Sequence, residues 1–187
     1  YASAEFLVRL ERPAEAAERY GEFLRRFPGH KRTVDVRFRR GWCLNASGRP
    51  HAARAEWDAG LRAEHKGERV AEAAFTVGEI ARDGGRVEEA KRYYNKAIDA
   101  EPKSEWAAEA MWALATLARD DSEDDAARRL AGQLIEEIPA SRLVPWALRL
   151  CGDLDLAADK PERALACFQT LISRFPNHTM IPAALSG

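Results

Sequence analysis

The stretch GERVAEAAFTVGEIARDGGRVEEAKRYYNKAIDAEP, residues 67–102, decides the fold. Small and apolar residues recur in it at intervals of three or four, which predicts two amphipathic helices. The glycine-containing turn at 83–85 separates the two helices, and Pro102 closes the unit. Gly78 and Ala90 are small enough to let the helices cross closely. The stretch is therefore predicted to fold as a tight helical hairpin.

The rest of the chain repeats this hairpin with a period of 37 residues. One alanine marks the second helix of each copy: Ala16, Ala53, Ala90, Ala127 and Ala164. Four residues later comes a mostly aromatic position, named here the second-helix row: Tyr20, Trp57, Tyr94, Ala131 and Phe168. A proline, or once a histidine, closes each copy: Pro28, His65, Pro102, Pro139 and Pro176. A fixed period of this length is typical of a solenoid, in which each unit packs on its neighbours.

This pattern resembles the tetratricopeptide repeat (TPR) family, which also needs a small residue in the first helix of each hairpin. Five positions meet that need and are named the small-residue row: Ala4, Gly41, Gly78, Ala115 and Gly152. The resemblance covers nearly the whole chain. It implies an all-α fold, a right-handed α-solenoid of about five helix-turn-helix repeats, with the first helices lining a concave groove.

The period departs from the family's usual repeat of about 34 residues. The three additional residues lie between the closing proline and the next helix. This longer spacing is similar to that of bacterial envelope TPR proteins, such as the β-barrel assembly lipoprotein and the Tol-Pal-associated coordinator. The resemblance therefore favours the periplasm or cell envelope over the cytoplasm.

A single array is predicted over residues 1–187, as a fragment of a longer protein because the chain begins inside a helical pattern. The repeats are expected at approximately 1–28, 29–65, 66–102, 103–139 and 140–176, with a partial sixth at 177–187.

Composition excludes several classes of function. The net charge of −1 and the pI of about 6.5 argue against a nucleic-acid-binding surface. The charge is uneven, since residues 1–70 carry +5 and residues 71–187 carry −6. No apolar run reaches the roughly 18 residues that a membrane span needs, so no membrane insertion is expected.

Motifs for catalysis are also missing from the sequence. It contains no P-loop, dinucleotide-binding, HExxH or GxSxG motif, and no His and Cys cluster with metal-ligand spacing. Cys43, Cys151 and Cys167 form no CxxC pair and are interpreted as small buried residues. The prediction is a non-catalytic protein without cofactor or metal.

An acidic turn, DDSEDD at residues 120–125, precedes the second helix of the fourth copy. Ser122 is a candidate N-cap, because its hydroxyl can accept a hydrogen bond from the first helical turn. The carboxylates also favour the positive end of the helix. A calcium site is not predicted, because the segment lacks the spaced ligands and the glycine of an EF-hand loop.

A row of aromatic residues suggests a binding surface. Tyr1, Phe38, Phe75 and Trp112 are 37 residues apart in the first helices and are named the first-helix row. In TPR proteins this position faces the concave groove, together with positions four and seven residues further along. The resemblance thus implies these candidate partner-binding residues: Phe38, Trp42, Asn45, Phe75, Glu79, Arg82, Trp112 and Arg119. Aromatic and arginine side chains dominate binding hot spots, so the predicted ligand is a peptide or helix of a partner protein.

Two other interpretations of these residues stay open. Phe38 and Phe75 can pack between neighbouring helices, and Arg82 and Arg119 can be solvated charges beside the turns, each followed by an aspartate. A basic segment also stands out, formed by Arg25, Arg26, Lys31, Arg32, Arg37, Arg39 and Arg40. It is either a solvated face or a dock for an acidic partner or a membrane headgroup.

The leading functional hypothesis is a scaffold that captures a segment of another protein within a bacterial assembly. One alternative is the helical arm of a larger enzyme or signalling protein whose catalytic domain lies outside residues 1–187. Another is a self-association module, in which oppositely charged ends stack and a monomer associates weakly with its own copies.

Overall fold

A computed structural model describes residues 1–178 of the chain. This part is all helical, with ten α-helices and no strand. The helices are α1 (Ala2–Arg9), α2 (Pro13–Arg26), α3 (Thr33–Ala46), α4 (Pro50–Ala63), α5 (Glu68–Asp83), α6 (Val87–Ala100), α7 (Glu105–Asp120), α8 (Asp124–Glu137), α9 (Val144–Ala157) and α10 (Pro161–Arg174). Consecutive helices pair into five hairpins, which confirms the predicted all-α repeat fold. Most of the expected partial sixth repeat, from residue 179 onward, lies outside the described residues.

The chain divides into two compact units. The first, Tyr1–Ala100, holds the hairpins α1–α2, α3–α4 and α5–α6. The second begins at Glu101 and holds α7–α8 and α9–α10. The first unit has 20 Lys and Arg against 16 Asp and Glu, a net charge of +4, and the remaining residues have 9 against 14, a net charge of −5.

In three of the five hairpins, a glycine of the small-residue row makes room for an aromatic ring of the second-helix row. A Cβ atom placed on Gly41 would lie 2.2 Å from Nε1 of Trp57, and one on Gly78 would lie 2.7 Å from Cε1 of Tyr94. On Gly152 it would lie 2.5 Å from a ring carbon of Phe168. The close helix crossing predicted at Gly78 is therefore present, and an aromatic ring fills the space that the missing side chain leaves.

The turn inside each hairpin contains one residue with positive φ, again 37 residues apart. These residues are Glu11 (55°), Gly48 (75°), Gly85 (73°), Ser122 (61°) and Asp159 (55°). Two are glycines, for which this conformation is easily accessible. The expectation that Ser122 caps α8 is wrong, because Ser122 occupies this left-handed position and the N-cap of α8 is Glu123, without a side-chain cap hydrogen bond.

Burial is concentrated in three first helices. The helix α5 buries seven residues, and α7 and α9 bury eight each, whereas α1 buries only Ala4. Cys43 and Cys151 are buried, as expected from their positions in helices, and Cys167 is half-buried.

None of the described helices combines the length and the apolar character that crossing a membrane requires.

Candidate partner-binding site

The first-helix row is divided between core and surface. Phe38 is fully buried, and a Cβ atom on Gly60 of α4 would lie 3.0 Å from the tip of its ring. Because Gly60 leaves room for the ring, Phe38 packs α3 against α4. The prediction that Phe38 lines an exposed groove is therefore wrong. Tyr1, Phe75 and Trp112 are each half-buried.

Phe75 packs within its own hairpin. Its ring centroid lies 5.8 Å from that of Tyr94, with the two planes tilted by 38°. This contact lies between α5 and α6 of the first unit. Trp112 lies on α7 of the second unit.

Glu79 is bound to its own hairpin rather than free. Its carboxylate accepts a hydrogen bond from the hydroxyl of Tyr94 at 2.5 Å and pairs with Arg82 at 2.6 Å. Burial of the Tyr94 ring, together with the bond to Glu79, raises the pKa of the Tyr94 phenol above its ordinary value. Two repeats earlier, Glu5 accepts the same hydrogen bond from the hydroxyl of Tyr20 and also pairs with Arg39, at 3.2 Å. The carboxylate thus satisfies a hydroxyl that would otherwise lie beside the core without a partner.

The row of first-helix residues that contains Glu79 also includes Trp42 and Thr116, at intervals of 37 residues. Trp42 stands opposite Trp57, with ring centroids 4.7 Å apart. Thr116 donates to the backbone oxygen of Ala113 at 2.8 Å. Glu79 and Trp42 are thus each matched to the second-helix ring that they contact.

The exposed polar candidates lie at the ends of the first helices. Asn45 is exposed in the last turn of α3, and Arg82 is exposed in the last turn of α5. Arg119 is exposed on α7 and pairs with Asp120 at 3.1 Å. The local pairs of Arg82 and Arg119 agree with charges that flank the turns, and their remaining N–H groups stay available to a ligand.

A cavity of about 330 Å³ lies beside Trp42 in the first unit. Its lining is mostly apolar and consists of Val8, Glu11, Pro13, Trp42, Cys43 and Ala46. Ligand pockets usually measure about 300–1,000 Å³, so this cavity has room for one or two side chains. The pocket is named the Trp42 pocket. It lies where the end of α1 and the start of α2 meet the last turns of α3.

Sequence reasoning missed Val8, whose side chain lines the Trp42 pocket and is 45% exposed. The signal was available, because Val8 lies 37 residues before Asn45, in the same row as Arg82 and Arg119. Asn45, Arg82 and Arg119 are polar, and the apolar Val8 does not share the chemistry by which they stand out.

A second cavity, of about 300 Å³, lies between α8, α9 and α10 in the second unit. Cys151 and Cys167 line it, and burial raises the pKa of the Cys151 thiol to about 11. The thiolate is the reactive form of cysteine, so Cys151 is protonated and unreactive at neutral pH. Nearby, Asp155 is only 2% exposed and accepts a hydrogen bond from Nε of Arg128 at 2.9 Å. Arg128 and Asp155 thus join α8 to α9 within the second unit.

Across residues 1–178, no three side chains of His, Cys, Asp or Glu come together in a way that could hold a metal ion.

Comparisons with known proteins agree with this geometry. Sequence profiles described as tetratricopeptide repeat match residues 1–63, 46–105 and 152–178. The crystal structure of MamA is similar with a TM-score of 0.71 at 16% identity, over 95% of this chain and 97% of MamA. A tetratricopeptide repeat protein from Parabacteroides merdae gives a TM-score of 0.71 at 17% identity, over 94% of this chain and 65% of that protein.

A further similar structure is that of YrrB, described as a TPR protein with an unusual peptide-binding site. It gives a TM-score of 0.65 at 16% identity, over 95% of this chain and 85% of YrrB. A comparison with curated protein sequences gives no significant match. At these identities, the structural likeness shows the fold alone.

Proposed function

Because this chain belongs to the tetratricopeptide repeat family, we propose that it is a non-catalytic scaffold that binds a segment of a partner protein. TPR proteins generally act as protein-interaction scaffolds. The observation that carries the finer proposal is the Trp42 pocket, a partly open apolar cavity whose lining includes Val8 and Trp42, two members of the rows that the resemblance assigns to the groove.

The chemistry of the Trp42 pocket suits one apolar side chain of a peptide. Trp42 offers a large ring that is held in place on one side by Trp57. A rigid aromatic residue that is already ordered loses little conformational entropy on binding. Val8 and Ala46 complete an apolar wall, and the exposed amide of Asn45, on the same helix, can bond to the peptide backbone.

The other candidates extend the proposed binding surface along each unit. In the first unit, Phe75, Glu79 and Arg82 lie on α5, where the exposed Arg82 can meet a carboxylate of the ligand. In the second unit, Trp112 and Arg119 on α7 are proposed as additional contacts. Phe38 is excluded because it is buried.

Two further observations support a peptide ligand within a bacterial assembly. YrrB, which shares the fold, is described as having a peptide-binding site. The period of 37 residues resembles that of bacterial envelope TPR proteins, so a place in an envelope assembly is proposed.

The experiment selects peptides from a random displayed library on the intact protein and measures their affinity by fluorescence polarisation. A Val8→Asp variant introduces a charge into the Trp42 pocket without disturbing the core, because Val8 is 45% exposed. Burying an unpaired carboxylate against an apolar ligand is expected to weaken binding by at least about tenfold.

Phe6→Asp is the matched control. Phe6 lies on the same helix, is 62% exposed and does not line the pocket, so this variant should bind the peptides as the parent does. Failure to select any peptide, or equal affinity of the parent and the Val8→Asp variant, would overturn the proposal.

A further inference from the structure

The structure sorts the seven residues of the basic segment into two groups. Three of them, on α3, are bound to carboxylates. Arg37 pairs with Glu56 at 2.9 Å, and Arg40 pairs with the other oxygen of the same carboxylate. Arg39 pairs with Asp35 at 3.1 Å and also with Glu5. Arg37 and Arg40 therefore join α3 to α4 within the second hairpin, and Arg39 joins α3 to α1 of the first hairpin.

The other four residues, Arg25, Arg26, Lys31 and Arg32, lie around the connection between α2 and α3. All four are exposed, and within residues 1–178 none has a carboxylate within ion-pair distance. They are named the basic cluster. Four neighbouring positive charges without a counter-charge repel one another, and an anionic ligand would relieve that repulsion.

Aromatic rings contact two side chains of the basic cluster, Arg26 and Arg32. Phe23 lies at the centre of these rings, with ring centroids 6.1 Å from Tyr1, 5.3 Å from Phe27 and 5.4 Å from His30. The guanidinium carbon of Arg32 lies 4.8 Å from the ring centroid of Tyr1, and that of Arg26 lies 5.4 Å from that of Phe27. A guanidinium that stacks on a ring keeps its N–H groups free at its edge, so both arginines are ordered before a ligand arrives.

The helix dipoles favour two members of the basic cluster and disfavour the other two. Arg25 and Arg26 suit the last turn of α2, where the helix dipole favours cations. Lys31 and Arg32 directly precede α3, whose positive end favours anions instead. The one carboxylate in the first turn of α3, Asp35, is already bonded to Arg39 and Arg69.

We propose that the basic cluster docks a carboxylate-rich segment of a partner protein, with an apolar or aromatic side chain of that segment beside Phe27. Three of the four cations are arginines, whose planar fork matches a carboxylate in two parallel hydrogen bonds. Phe27 is 44% exposed and leans on Phe23, so it offers a fixed ring face. Fixed arginines and a fixed ring recognise discrete side chains better than the diffuse charge of a lipid surface.

This surface is separate from the Trp42 pocket. The basic cluster lies at the start of α3 and the pocket lies beside its last turns. The helix has 14 residues, which corresponds to a length of about 20 Å. The two surfaces can therefore be tested independently.

The probe is a fluorescein-labelled peptide of alternating Glu and Asp with one central Phe, titrated with the intact protein. The variant Arg26→Gln/Arg32→Gln removes the two stacked cations. Each lost exposed ion pair is expected to weaken binding up to about fivefold, so the double variant should bind roughly tenfold more weakly. Added salt should weaken the binding of the parent in the same direction.

The matched control is Arg62→Gln/Arg92→Gln, which removes the same charge from exposed positions on α4 and α6 of the same unit. It should bind the acidic peptide as the parent does. An equal loss in both double variants would mean general attraction between net charges and would overturn the proposal. The Val8→Asp variant should keep its affinity for the acidic peptide, which separates this result from the fate of the Trp42 pocket.

Sedimentation with vesicles distinguishes a lipid from a peptide. Vesicles of phosphatidylcholine with phosphatidylserine should retain little of the protein, and the acidic peptide should displace what is bound. Strong retention that depends on Arg26 and Arg32 and resists the peptide would overturn the proposal in favour of a membrane surface.

Discussion

At the scale of single residues, the small-residue row makes the sharpest prediction about stability. The change Gly41→Ala puts a methyl group where Nε1 of Trp57 now lies, 2.2 Å from the new Cβ. Overpacking of this kind costs about 1–3 kcal/mol, which urea unfolding would measure as a lower midpoint.

Gly132→Ala is the matched control, since Gly132 also lies inside a helix. A Cβ there would meet only the tip of the flexible Arg128 side chain, at 3.2 Å. Removing a glycine from a helix interior should then stabilise the protein by about 0.5–1 kcal/mol. A lower midpoint for both variants would contradict the argument from ring packing.

The carboxyl group of Glu72 should make the stability of the protein depend on pH. Burial, and next the nearby charge of Glu68, raises the pKa of the Glu72 carboxyl above its ordinary value. The unfolded chain therefore loses this proton at a lower pH than the folded chain does. The free energy of unfolding consequently falls as pH rises from the ordinary value of a glutamate, about 4.3, through the raised one.

The variant Glu72→Gln removes this cost without a large change in shape. Its Tm at pH 7 should exceed that of the parent by a few degrees, since about 1 kcal/mol corresponds to roughly 2–4 °C in a chain of this size. Near pH 3 both side chains are neutral, and the advantage should vanish. The same advantage at both pH values would show that the charge of Glu72 is not the cause.

At the scale of helices, Asp155 connects α8, α9 and α10. It pairs with Arg128 at 2.9 Å and more distantly with Arg163, at 3.6 Å. The change Asp155→Asn leaves the partly buried Arg128 without its counter-charge. Breaking a fully buried pair costs about 3–5 kcal/mol, and the partial exposure of Arg128 reduces the expected loss to about 2 kcal/mol.

The control for Asp155 is Arg163→Gln. The Arg163 side chain is 54% exposed and its pair is long, so this change should alter the free energy of unfolding by less than about 0.5 kcal/mol. Chemical unfolding of both variants would measure the difference. If both variants lose the same free energy of unfolding, Asp155 stabilises the protein through a contact other than that with Arg128.

The helices themselves follow from the sequence better than the directions of their side chains do. The period of 37 residues predicts a fourth repeat that starts near residue 103, and the structure begins α7 at Glu105. Phe38 was misplaced because an aromatic residue in a first helix suits either the groove or the hairpin interior. The deciding neighbour, Gly60, lies on another helix. Ser122 was misplaced because serine is common both at N-caps and in turns.

The candidate site follows from the sequence only in part, for a related reason. A period shows which residues are equivalent but not which of them have partners. Arg39 and Arg32 look alike in the sequence, yet Arg39 reaches Glu5, 34 residues away, and Arg32 stacks on Tyr1. A long charged side chain can reach several neighbours, and the packing between helices determines which of them it contacts. The Trp42 pocket likewise needs three helices together before its cavity exists.

At the scale of the whole molecule, stability should be uneven along the chain. Repeat arrays open locally because each unit contacts only its neighbours. The helix α5 buries seven residues, and α7 and α9 bury eight each, whereas α1 buries one and α10 buries two. Hydrogen exchange followed by mass spectrometry should therefore be slowest in α5, α7 and α9 and fastest in α1 and α10. Uniform protection in all ten helices would indicate a single cooperative unit instead.

The contacts of Glu79 with Tyr94 and of Trp42 with Trp57 affect how such repeats can be duplicated and recombined. Both members of each match lie in one hairpin, 15 residues apart. A duplication that copies a whole hairpin carries a complete match with it, whereas a crossover inside a hairpin would set a tryptophan against a phenol. Arrays of this kind can therefore lengthen or exchange genetic material at the connections between hairpins, and each new copy arrives with its interior already complementary.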